Sequence, residues 1–284
     1  MRRSTKVEEI KFRGAAEVRT DLFIFRGLVS EAGYEWLTGM DSKPRLVTRL
    51  VPGVGFRLCE PHPGLFREFA DLALDPTKEA IKHFAQTYGD LFNRYEPQQS
   101  AKRKDGTVAV GATLGTWKQE IGDMRVLVNL WDQIKAVPPQ IAELKKIITR
   151  TDKALSYVIT TPRRESNETI AHADIPGSGL ERFDRDDVLL PARCALQIEV
   201  NKRIAEFPTV PGLVWTPDYH QRIIFKPSNL LAAMWIQFAQ DMIGKFRLVK
   251  CVCGHYFQVG PGAKKGHSIT CSPKCRKRKS RNAK

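Results

Sequence analysis

The chain has 284 residues, 42% hydrophobic and 27% charged, which allows one large domain with an appendage or two modest ones and excludes a wholly disordered protein. Its formal charge is +15, but Lys245, Arg247, Lys250, Lys264, Lys265, Lys274, Arg276, Lys277, Arg278, Lys279, Arg281 and Lys284, with no acidic residue among them, place +12 in the last 40 residues and leave +3 for the other 244. Basicity therefore belongs to the tail, and six cysteines in this length exclude a disulfide scaffold.

The N-terminal segment MRRSTKVEEIKFRG is charged but leads into no apolar run, so a secretory signal is not expected and the chain reads as cytoplasmic. Residues 1 to about 60 mix β-type runs (DLFIF, RLVTRLV, GFRL) with Gly and Pro and predict a small β-containing part. From GLFREFADLAL onward the period becomes helical, with Leu65, Phe66, Phe69, Ala70 and Ala73 on one face. Asp75 is the expected N-cap of the next helix with Pro76 in its first position; Ala80, Ile81, Phe84, Ala85 and Tyr88 form its stripe, and Gly89 ends it.

The polar stretch PQQSAKRKDGTVAVG reads as a connection. Trp117, Ile121, Met124, Val128 and Trp131 then alternate at spacings of four and three and predict a strongly amphipathic helix to Lys135, which Pro138-Pro139 breaks. IAELKKIITR predicts a short helix, residues 162 to 186 a long loop, and Asp187 to Ala205 another helix that tolerates Pro191 near its start. GLVWTPDYHQRIIFKP reads as a hairpin around a Pro-Asp turn. Ser228 is the expected cap of LLAAMWIQFAQDMIG, where Leu231, Trp235, Phe238 and Met242 share a stripe; Leu230 to Ile243 is shorter than the ~20 apolar residues of a bilayer span and reads as a buried helix.

Four of the six cysteines fall within 25 positions. Cys251-x-Cys253 and, seventeen residues later, Cys271-x-x-x-Cys275 have the two-pair organisation of a four-thiolate zinc ribbon or treble-clef-like site. HYFQV predicts a strand after the first pair, GPGAKKG an exposed loop, and Ser272-Pro273 the start of a helix with Cys275 in its first turn. His255 or His267 is an alternative ligand. One structural Zn2+ held by Cys251, Cys253, Cys271 and Cys275 leaves no open coordination position, and roughly 10–16 kcal/mol of binding energy supplies what so small an apolar content cannot. Four thiolates and one zinc add −2, so the +12 of the tail becomes +10. Lys264, Lys265, Lys274, Arg276, Lys277, Arg278, Lys279 and Arg281 are the candidate nucleic-acid contacts, with DNA favoured over RNA.

The segments KCVCGHYFQVGP and TCSPKCRKRKSR, with the helix LLAAMWIQFAQ before them, resemble the CGNR-type zinc fingers that close a group of bacterial stress-induced transcription regulators with an ABATE domain. Cys253-Gly254, Phe257, Cys271-Ser272 and Cys275 followed by Arg and Lys carry the resemblance over about the last 55 residues; the first pair is one residue shorter, and Arg276-Lys277-Arg278 stands where the family has Gly-Asn-Arg. The resemblance implies a DNA-binding transcriptional regulator whose larger domain senses a small-molecule or protein signal.

Enzyme motifs are sparse. GAKKGHS lacks the Gly-Lys-Ser/Thr ending of a P-loop, and His172-x-Asp174 with Glu181, Asp184, Asp186 and Asp187 reads as a solvated loop more than as a nuclease cation site. Cys59 and Cys194 read as small buried hydrophobes, and Trp117, Trp131 and Trp235 as core. The sequence thus predicts an α+β protein: residues 1–244 form a mainly helical sensor or interaction domain with a β-rich start, and residues 245–284 a zinc-binding basic module. A zinc-stabilised nuclease, an RNA binder and a protein-interaction module are the alternatives.

Overall fold

A computed structural model describes residues 27–49, 56–59, 63–92, 100–174, 179–207, 209–215, 221–244, 247–259 and 269–282. Four short strands come first, β1 (Gly27–Ser30), β2 (Tyr34–Thr38), β3 (Pro44–Thr48) and β4 (Phe56–Cys59), with β1 antiparallel to β4 and β2 to β3. Helices α1 (Leu65–Asp71) and α2 (Lys78–Tyr88) follow, then a small hairpin of β5 (Ser100–Lys102) and β6 (Val108–Val110). Next come α3 (Leu114–Lys135), α4 (Ile141–Ile147) and a three-stranded antiparallel sheet of β7 (Ile148–Arg150), β8 (Ala154–Thr160) and β9 (Glu165–His172). Helix α5 (Leu189–Glu206), the hairpin β10 (Thr209–Trp215) and β11 (Gln221–Pro227), and α6 (Leu230–Ile243) complete the body.

One apolar core joins helices α1 to α6 with strands β1, β2, β3 and β8, and α3 runs through it. The stripe foreseen on α3 is buried, from Trp117 through Ile121, Met124 and Val128 to Trp131. Phe66 of α1 stacks on Phe238 of α6 with ring centroids 5.2 Å apart, and Phe69 meets Phe84 of α2 at 5.4 Å, so α1 is wedged between α3, α2 and α6. Helix α6 is buried on most sides, as its sequence indicates, and no helix among the described residues is long and apolar enough to cross a membrane.

Several local expectations need correction. Thr77 caps α2, its hydroxyl accepting from the Ala80 amide at 3.2 Å, while Asp75 closes the preceding 3-10 turn and its carbonyl accepts from the Thr77 amide at 2.9 Å. Asn229 replaces Ser228 as the cap of α6, accepting from the Ala232 amide at 2.7 Å. The Ile148–Arg150 end of IAELKKIITR is strand, because its β-branched residues gain β8 as a partner. Residues 165–172 of the supposed long loop form β9, where polar residues on both faces, the buried Ser166 among them, hide the alternation. The hairpin β5–β6 likewise lies within the stretch read as a connection. Residues 1–26, with DLFIF, lie outside the described residues.

The body also buries charge. Glu120 and Asp123 of α3 face Arg203 of α5 and Arg163 of the β8–β9 turn: Arg203 and Arg163 both donate to Glu120, the Arg163 amide donates to Asp123 at 3.2 Å, and Arg163 reaches Glu206 at 2.9 Å. The Arg203 guanidinium lies 5.2 Å from the Trp235 ring centroid and 5.6 Å from that of Phe207. Such a network ties α3, α5, α6 and the β8–β9 turn into one register, and losing one member strands the others in low dielectric.

Burial pushes the Glu120 carboxyl up to about 7 against the opposing pull of Arg203 and Arg163. The folded state then binds a proton more tightly than the unfolded chain, where this carboxyl has its ordinary value of 4.5, so the contribution of Glu120 to stability is complete below about 4.5 and is lost as pH rises through about 7. Urea unfolding at a series of pH values should show this decline in wild type and not in Glu120→Gln. Glu120→Ala, which takes one acceptor from the buried Arg203 guanidinium and leaves it Glu206 at 2.5 Å, should cost about 1–3 kcal/mol in the same measurement.

Candidate metal centre and basic helix

After α6 the chain passes directly into the antiparallel hairpin β12 (Arg247–Lys250) and β13 (Tyr256–Val259), in which Lys250 stands opposite Tyr256. The hairpin closes through Cys251, Val252, Cys253, Gly254 and His255. The Cys251 amide donates to the His255 carbonyl at 2.9 Å, and the Gly254 amide to the Cys251 carbonyl at 2.9 Å. Gly254 has φ +96°, a conformation glycine adopts without steric cost, and this lets a single residue between the cysteines suffice for a tight chelating turn.

The second pair is presented by helix α7 (Pro273–Asn282). Ser272 acts as foreseen: its hydroxyl accepts from the Cys275 amide at 3.2 Å, placing Cys275 in the first turn. The Cys271 amide donates to the Cys251 sulfur at 3.2 Å; Cys271 Sγ lies 3.5 Å from both Cys253 Sγ and Cys275 Sγ. All four sulfurs lie within 4.8 Å of one another, close to the roughly 3.8 Å edge of a tetrahedron with ~2.3 Å metal–sulfur bonds. These four residues are the one group of three or more His, Cys, Asp or Glu residues placed to hold a metal ion among the described residues.

Electrostatics within the tetrad are uneven. Burial raises the Cys251 thiol, but the amides of Cys271 and Cys253 and the neighbouring thiols more than offset this and bring it down to about 6; burial and three neighbouring sulfurs push Cys271 up to about 12. Around the sulfurs the apolar content is small: Phe257 and Val259 are buried with Cys251 and Cys275, and Val249 packs beside them. A cluster of this size cannot fold the segment by burial alone, and a metal held by the four cysteines would supply the staple.

Helix α7 carries Lys274, Arg276, Lys277, Arg278, Lys279 and Arg281, all exposed, and no acidic residue. Only Cys275 turns inward, so cations occupy nearly the whole circumference. Lys264, Lys265 and His267 lie outside the described residues. His255 is engaged elsewhere: its Nδ1 is 2.9 Å from a carboxylate oxygen of Glu68 and 3.3 Å from the Tyr88 hydroxyl.

That contact belongs to an interface the sequence did not signal. Glu68 and Asp71, one turn apart on α1, face the closing end of the hairpin. Glu68 also accepts from the Tyr256 amide at 3.2 Å and the Tyr88 hydroxyl at 2.8 Å, while Asp71 accepts from the Tyr256 hydroxyl at 3.0 Å, Lys250 at 2.5 Å and Arg125 of α3 at 2.9 Å. Asp71 holds the Lys250 ammonium above its usual range, and burial followed by Asp71 raises the Tyr256 phenol. Only the i, i+3 acidic pair on the polar side of α1 was available as a signal, and such pairs are common on solvated helices.

The remaining candidates separate. His172 and Asp174 sit 3.9 Å apart at the end of β9, Asp187 accepts from the Leu189 amide at 2.8 Å at the start of α5, and none of Glu181, Asp184 and Asp186 joins a metal-ligating group with them. Cys194 is half-buried rather than buried, its thiol raised by burial and by Asp187; the Cys59 side chain lies outside the described ones. Trp117, Trp131 and Trp235 are core, as expected.

Compared with protein-family models, curated proteins and solved structures, the chain matches none.

Purified protein should contain one metal ion per chain by elemental analysis, and Cys253→Ser or Cys275→Ser should reduce it to near zero. Because thiolates bind the metal and thiols do not, acidification should release it, with affinity falling as pH drops. Wild-type protein without metal at neutral pH would contradict the assignment.

Proposed function

We propose that this protein is a zinc-stabilised DNA-binding protein acting as a transcriptional regulator, with α7 as the contacting element and the helical body as the part that receives a signal. The observation that carries the reading is α7 itself: six exposed cations in a ten-residue helix free of acidic residues, held on a cysteine tetrad able to take a metal. A basic run on an unstructured tail binds any polyanion. A helix anchored in its first turn by Cys275 instead offers phosphates a fixed array, and neutralising them releases condensed counterions.

Zinc is the ion of choice for this reading, because four thiolates at tetrahedral spacing suit it and leave no vacant position for catalysis. The resemblance of the last 55 residues to CGNR-type fingers points the same way, toward a regulator of bacterial type. DNA is favoured over RNA on that resemblance, and Lys264 and Lys265 extend the cationic set if their loop faces the same side.

Gel-shift titration across a salt series tests the proposal. With about five phosphate contacts, log affinity for duplex DNA should fall against log salt with a slope near −4 to −5. Replacing Lys277 and Arg281 by Gln should reduce the slope by about 2 and weaken binding on every sequence tried. Preference for single-stranded RNA would overturn the DNA assignment, cleavage of the probe with Mg2+ would favour a nuclease, and absence of affinity for either nucleic acid would leave a protein-interaction module.

A further inference from the structure

The tetrad's first pair sits on the end of the hairpin that α1 grips. Lys250 precedes Cys251 and His255 follows Cys253 by two positions, so the groups held by Glu68 and Asp71 flank the chelating turn on both sides. Asp71 bridges the two strands at their last pair, taking Lys250 from β12 and the Tyr256 hydroxyl from β13. Glu68 fixes β13 a second time through the Tyr256 amide. Contact is close enough to dictate a glycine: Gly64, with φ +93°, would place a Cβ 2.7 Å from Tyr256 Cβ and 3.3 Å from Leu248 Cδ2. Leu248 also packs against the main core of the body.

We propose that Glu68 and Asp71 are positioning residues for the metal centre: they pre-shape the Cys251–Cys253 turn from the body, so that metal affinity depends on α1 and metal binding in turn tightens α1. The inference rests on the reading that the four cysteines hold a metal, and it adds to that reading a partner outside residues 245–284. Its physical basis is linkage. A turn already held in the liganded shape loses less chain entropy when the ion binds, and whatever α1 contributes to the ion, the ion returns to α1. Neither carboxylate touches the ion; both act through the backbone and side chains next to its ligands.

Cobalt titration of the full-length reduced protein, followed by displacement with Zn2+, measures the effect, since tetrahedral cobalt thiolates absorb visibly. Glu68→Gln/Asp71→Asn should bind about 10-fold more weakly than wild type. Tyr256→Phe and Lys250→Met, which leave α1 and its Arg125 partner intact, should weaken binding in the same direction by less. All five tryptophans precede residue 245, so their emission verifies that the body remains folded in each variant. Hydrogen exchange gives the reciprocal readout: Zn2+ should slow the α1 amides in wild type and leave them unchanged in the double variant, whereas a merely structural role would move exchange without this metal dependence. Equal affinities in wild type and all variants with a folded body, or α1 exchange indifferent to metal in wild type, overturns the proposal. Failure of wild-type protein to give the cobalt–thiolate spectrum overturns instead the four-cysteine reading beneath it.

Discussion

Seven residues of α1 meet both the apolar core and the cysteine-bearing hairpin. Their apolar side, Leu65, Phe66, Phe69 and Ala70, is fully buried among α2, α3 and α6, and their polar side presents Glu68 and Asp71 to that hairpin. Arg67, between the two faces, pairs bidentately with Asp132 of α3 at 3.0 and 2.9 Å and reaches Asp241 of α6 at 3.3 Å, where the Trp131 indole also donates at 2.9 Å. A helix this short has little stability of its own. It persists because every side has a partner, and the position of the hairpin, and through the cysteines that of α7, follows from it.

Two different solutions to burying polar chemistry stand in one chain. In the body, Glu120, Asp123 and Arg203 are desolvated, with the exposed Arg163 closing their network from the solvent side, and the network's worth lies in register more than in net energy, since an apolar set of equal volume packs as well. Around the hairpin turn and the start of α7, four sulfurs converge where side-chain volume is scarce, an arrangement in which a bound metal would supply the energy by coordination. The first arrangement needs a large surrounding core. The second substitutes for one.

How much of this could be read beforehand depends on the range of the interaction. Ligand spacing, Ser272-Pro273 and the HYFQV strand were legible because they are local, and the tetrad and α7 lie where they indicate. The stripes of α2, α3 and α6 were legible for the same reason: one helix face meets one core. Strands β5 and β6 were hidden because three residues each are too few to show a period of two and β6 turns Val108 and Val110 outward; β9 was hidden because polar residues stand on both of its faces, and only pairing partners fix all three. Capping failed by one or two positions at Thr77 and Asn229, where two polar residues compete and backbone geometry decides. The contact of Asp71 with Lys250, 179 positions apart, left only the acidic pair Glu68 and Asp71 as a local trace.

The passage from α6 to β12 takes three residues, from Gly244 to the first strand residue, Arg247. Three residues thus separate the strand that leads to Cys251 from the end of a buried helix. For protein engineering this sets a rule about portability. Residues 245–284 taken onto another scaffold would carry their four ligands and their charge, but the recipient would have to offer a helix of its own with two carboxylates one turn apart and a glycine at its start. The hairpin and the face of α1 against it are complementary, side chain to side chain.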